Sequence, residues 1–186
     1  MSPIEAPRPT VSPLFLRIAG ALLIVAAAPA LELAVPSAGV LLAFVQSIGL
    51  AAFYVALIAA GYPRRDGTSI ALAVAQAVVH VLIIVVVLTP SEVGTRVVLV
   101  ILLAIVLYAL NIAFGVTTWR TRSLLDPLRQ LPIVLVIGTF ITNQFQNLVN
   151  AWWSHIFTDL LYVVVGILFI AYARFPNGRT LEEWKP

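Results

Sequence analysis

Polar side chains crowd one apolar run of this chain, between residues 131 and 155. Thr139, Thr142, Asn143, Gln144, Gln146, Asn147 and Asn150 follow a hydrophobic start, and every other long apolar run holds at most two strongly polar side chains. At 100° per residue on a helix, all of these except Gln144 fall within an arc of about 140°. Side-chain amides carry donors and acceptors together, so neighbouring Asn and Gln residues suit the clasping of a polar solute. They also serve as hydrogen-bonding glue between helices. Left unpaired in hydrocarbon, each amide would cost about 1–3 kcal/mol or more. The stripe must therefore face other helices, a water-filled cavity or a partner protein.

A second cluster lies earlier in the chain. Gln76 and His80 are four residues apart, so on a helix they share a face. Gln46, Asn111, Glu32 and Asp159 are further polar residues in or at the ends of apolar runs. Histidine within an apolar run is either a hydrogen-bonded packing residue or a ligand-binding one. Asp159 has an alternative use, complementing the positive N-terminal end of its own helix.

The elements that must position these residues follow from composition. Hydrophobic residues make up 61% of the chain and charged residues 10%, with a mean hydropathy of +1.04. A water-soluble core of 186 residues could not hide so much apolar surface, so lipid is expected as the main solvent. The fold class predicted is all-α: a polytopic membrane protein forming a single six-transmembrane-helix bundle. Its apolar runs are about 14–35, 38–60, 68–88, 95–118, 131–150 and 156–173, flanked by a proline-rich tail at 1–13 and a polar tail at 174–186. Each run is near the ~20 residues that cross ~30 Å of hydrocarbon. Residues 119–130, with leucines among arginines, suggest a short helix on the membrane surface. The first run also admits a reading as a cleaved signal peptide, since Ala28-Pro29-Ala30 resembles a small-x-small site.

Orientation follows from Lys and Arg placement. With the N-terminus inside, the inner segments hold Arg8, Arg17, Arg64, Arg65, Arg120, Arg122, Arg129, Arg174, Arg179 and Lys185, and the outer segments hold only Arg96. Both termini are thus expected in the cytoplasm, and a prokaryotic plasma membrane is the expected location. The same rule makes the polar fifth run span. A mere dip would carry Arg174, Arg179 and Lys185 outward. Trp152 and Trp153 would then sit at the outer interface.

Depth now groups the polar residues. Asn143, Gln146, Asn147, Gln46 and Asp159 fall in the outer half, and His80 lies ~13 Å from the outer end at the helical rise. Asn111 alone falls on the inner side. Gln46, Gln76, His80, Asn143, Gln146, Asn147 and Asp159 are therefore the candidate ligand-binding residues of one outward-facing site between helices 2, 3, 5 and 6.

Several chemistries are excluded or disfavoured. The chain has no H-E-x-x-H, no G-x-S-x-G and no P-loop. No lysine lies in an apolar run, so a retinal Schiff base is excluded, and no cysteine is present for thiolate or metal chemistry. His80 and His155 differ too much in depth to bridge a haem. No cofactor, metal site or catalytic residue is expected, and nucleic acid is not an expected partner. The leading expectation is binding or transport of a small polar solute or ion. The alternative is a non-catalytic subunit or assembly factor of a larger membrane complex, with the Asn/Gln face of helix 5 docking on a membrane-protein partner or a second copy. A third reading, a lipid- or quinone-directed enzyme with His80 as acid–base, has no second chemical group to support it.

Overall fold

A computed structural model describes residues 12–27, 39–61, 66–121, 132–138, 140–141 and 155–173. These residues form six helices and no strand. They are α1 Pro13–Ala27, α2 Gly39–Ala59, α3 Gly67–Leu88, α4 Val93–Thr121, a short α5 covering 132–138 and 140–141, and α6 His155–Tyr172. Among the described residues, the α3 and α4 segments Gly67–Leu88 and Val93–Arg120 are long and apolar enough to cross a membrane, whereas the apolar segments Pro13–Ala27 of α1, Phe44–Ala59 of α2 and Thr158–Tyr172 of α6 are shorter. Residues 1–11, Glu32, residues 122–130, Trp152, Trp153 and residues 174–186 lie outside the described residues.

Helix α4 is longer at both ends than the apolar run 95–118, and it takes in Trp119–Thr121, the start of the segment 119–130 expected as a separate surface helix. No proline interrupts Val93–Thr121, and Arg120 in the last turn complements the negative end of the helix dipole. Hydropathy weighs the charge against the helix, but the backbone does not.

The helix ends are set by local chemistry. Asp66 caps α3: its carboxylate accepts from the Thr68 backbone N–H at 3.2 Å and from the Ser69 hydroxyl. Gly61 takes φ 85° just past α2, the left-handed turn that glycine enters without penalty. Arg96 ties down the turn between α3 and α4, donating through Nη2 to the carbonyls of Thr89 (3.1 Å) and Ser91 (3.2 Å). The Ser12 N–H donates to the Ala60 carbonyl at 3.1 Å, holding the start of α1 against the end of α2.

Helix α1 packs between α6 and α2, α2 meets α3, and α3 meets α4. Helix α5 closes the ring. A Cβ added to Gly115 of α4 would lie 3.2 Å from the Ile133 backbone, and one added to Gly138 would run into the Leu161 side chain of α6. A close crossing joins α1 to α6, where Gly20 and Gly166 face each other. A Cβ on Gly20 would stand 2.5 Å from the Gly166 carbonyl oxygen. On the other side of α1, Gly49 of α2 rests on Ala26, a Cβ there falling 2.7 Å from the alanine's own. Small residues let backbones approach where lipid supplies no hydrophobic drive.

The interior is a belt of aromatic and aliphatic side chains, Leu16, Leu23, Phe53, Tyr54, Leu57, Phe114, Val165 and Phe169. The outside is equally apolar. Helix α4 exposes Val97, Val98, Ile101, Leu102 and Ile105, while α3 exposes Val78, Val81, Leu82 and Val85.

A polar cavity at the centre of the helix ring

Tyr54 is the hub of the interior. Its ring packs edge-on to Phe53 (centroids 5.1 Å apart) and to Phe114 (6.0 Å), and lies nearly parallel to the His80 imidazole at 6.3 Å and 19°. Its hydroxyl donates to Asn111 Oδ1 at 3.0 Å, linking α2 to α4. Helical spacing produces this convergence. Leu50, Phe53, Tyr54 and Leu57 recur at three- and four-residue intervals, turning one face of α2 inward. Ala104, Leu107, Tyr108 and Asn111 do the same on α4.

Beside Tyr54 lies a cavity of about 160 Å³ that receives side chains from all six helices: Leu23 from α1, Leu50, Phe53 and Tyr54 from α2, His80 from α3, Ala104, Leu107, Tyr108 and Asn111 from α4, Leu135 and Val136 from α5, and Tyr162 from α6. Its polar lining residues are His80, Asn111 and the three tyrosines. Among the described lining residues there is no carboxylate, lysine or arginine.

The sequence-predicted residues distribute as follows. His80 lines the cavity and is buried. Gln76, one turn earlier on α3, is fully buried but outside the lining. Gln46 is half-buried on α2, about two turns from Phe53 and on the same side of the helix. Asp159 is buried on α6, one turn before Tyr162. Asn143, Gln146 and Asn147 lie outside the described residues. Of the four candidates described, only His80 reaches the cavity wall.

No protein-family model, curated protein or solved structure matches this chain. The functional reading therefore stands on this geometry alone.

Four polar lining residues, Tyr54, Tyr108, Asn111 and Tyr162, were not among the candidates. Counted depth separates Asn111 from His80, yet the two share a cavity, where Tyr54 donates to Asn111 and lies beside the His80 ring. The tyrosines were passed over because they count as apolar in a hydropathy reading, although a buried hydroxyl needs a partner as much as an amide does. Signals for them were present. Tyr108 precedes Asn111 by three residues and Tyr162 follows Asp159 by three, so each shares a face with a polar residue.

The interior has hydrogen-bonding capacity that the described protein groups leave unused. Nδ1 of His80, and both Nε2 and Oε1 of Gln76, are buried without a hydrogen-bond partner among the described residues. Buried amide and imidazole groups are ordinarily paired with protein, water or ligand. After donating to Asn111, the Tyr54 oxygen still accepts, and the Asn111 amide still has its NH₂ donors. The cavity can thus offer a guest both donors and acceptors against a largely apolar wall.

Proposed function

We propose that this protein is a six-helix integral membrane protein with both termini in the cytoplasm, at home in a prokaryotic plasma membrane, that binds or passes a small polar solute through its central cavity. The observation carrying the solute reading is the convergent lining. His80, Asn111 and three tyrosines line a partly open cavity of about 160 Å³ that takes residues from all six helices. Small-molecule sites characteristically combine a mostly apolar wall with a few convergent polar groups.

The membrane reading is supported by the distribution of side chains. Polar residues Ser47, Ser69, Gln76, His80, Thr118 and Asp159 are buried, while valines, leucines and isoleucines cover the outside of α3 and α4. In water such a surface would aggregate. In a bilayer it is the face that lipid wets. The orientation rests on the basic residues, all but Arg96 of which fall on one side of a six-span arrangement.

Native mass spectrometry in mild detergent tests the function, comparing wild type with Asn111→Leu and with Asn143→Leu/Asn147→Leu. A monomer carrying a small molecule that Asn111→Leu loses is the expected result. A ligand-free oligomer, or a co-purified membrane protein lost from the Asn143/Asn147 variant, would overturn the solute reading. It would make the chain a docking subunit instead.

A further inference from the structure

We infer that the solute is an uncharged, flat, single-ring molecule bearing one amide- or hydroxyl-type group. This rests on the solute-binding reading above and narrows it by three observations.

The first is volume. A cavity of about 160 Å³ is close to the ~150 Å³ of an engineered protein cavity that accepts benzene. A space of that size holds one six-membered ring with a small substituent. The second is charge. None of the described lining residues is Asp, Glu, Lys or Arg. An ionised guest would leave water for a wall with no opposite charge, and uncompensated burial of an ion is strongly unfavourable. The third is the character of the wall. Phe53, Tyr54, Tyr108, Tyr162 and the His80 imidazole supply rings, with Tyr54 and His80 within 19° of parallel. Aromatic walls favour a guest whose own faces are flat.

The polar groups then specify the substituent. Tyr54 and Asn111, both on the cavity lining, keep an acceptor on the Tyr54 oxygen and donors on the Asn111 NH₂ after their mutual hydrogen bond. An amide or hydroxyl answers both kinds of position at once. A pure hydrocarbon would leave them unsatisfied, at a cost comparable to a lost buried hydrogen bond.

Isothermal titration calorimetry on the full-length protein in detergent, with a shape-matched series, tests the assignment. The probes are benzamide, benzoate, benzylamine (a cation at neutral pH) and glycerol, titrated into wild type, Asn111→Leu and Ala104→Phe. Ala104→Phe fills the cavity from its wall while leaving every polar lining group in place. Benzamide should bind saturably, about tenfold or more tighter than either charged analogue. Ala104→Phe should abolish that binding, with circular dichroism and melting behaviour verifying that both variants remain folded. If benzoate, benzylamine or glycerol binds as well as benzamide and Ala104→Phe blocks it, the ring-and-neutrality assignment is wrong while the cavity remains a solute site. If folded Ala104→Phe binds every probe as wild type does, or wild type binds none, the assignment fails. Native mass spectrometry then decides separately whether any solute site survives.

Discussion

The Tyr54 hydroxyl and Asn111 Oδ1 meet at 3.0 Å across the α2–α4 gap, making the one side-chain hydrogen bond between different helices among those described above. It lies on the cavity wall, so it serves packing and site together. Tyr54→Phe should cost about 1 kcal/mol, because it leaves the Asn111 oxygen without its donor. In a double-mutant cycle with Asn111→Leu the coupling should be near the ~0.6 kcal/mol average for polar pairs in membranes. Denaturant titration in mixed micelles measures both. A coupling of zero would mean that the bond is absent in solution.

The Gly20–Gly166 crossing should tolerate no side chain. A Cβ on either glycine would approach the other's carbonyl oxygen at 2.5–2.6 Å, and the obstacle is backbone rather than a movable side chain. Gly20→Ala and Gly166→Ala should each destabilise by about 1–3 kcal/mol, the usual range for overpacking. Gly94→Ala meets nothing within 4 Å and serves as the control. Its stability should change by no more than about 0.5 kcal/mol, as is usual for surface substitutions. Equal behaviour of the three variants would remove the close crossing from this account.

Gln76 should be a residue held at a cost to stability. It is fully buried, with both amide atoms unpartnered among the described residues. Gln76→Met, of similar length and without the amide, should raise stability by about 1 kcal/mol or more, as expected when an unsatisfied buried group is removed. Thermal unfolding of the purified protein reads this directly. A clear loss of stability would show that the amide has a partner, an ordered water included.

Topology is unusually easy to test, because the chain contains no cysteine. Single cysteines at Glu92, in the α3–α4 turn, and at Gly67, at the start of α3 with nothing within 4 Å of an added Cβ, should label oppositely with a membrane-impermeant maleimide on intact cells. Glu92→Cys should react and Gly67→Cys should not, until the membrane is opened. The reverse pattern would invert the orientation inferred from the basic residues. Labelling of both would show that α3 does not span.

Arg96 illustrates how a charge count can miss a structural role. It is the single basic residue expected outside, yet its guanidinium holds the Thr89 and Ser91 carbonyls in the turn. Arg96→Ala should loosen that turn, seen as faster amide exchange near Thr89, without reversing the proposed orientation, since the ten basic residues expected on the inner side are unchanged.

The sequence alone determined that this chain is helical, roughly where its helices lie, and that histidine and amides sit within apolar runs. These are local properties. Run length, turn residues such as Asp66 and Gly61, and the period of apolar side chains are written in neighbouring positions. Only the tertiary structure decided which polar residues meet. Rotation about each helix axis is set by contacts between segments far apart in the chain, Gly20 against Gly166 and Tyr54 against Asn111 among them. Depth along a helix can be counted from its end, but azimuth cannot. Thus His80 reached the cavity with Asn111 and three tyrosines, while Gln76, one turn away on the same helix, remained in the packed interior.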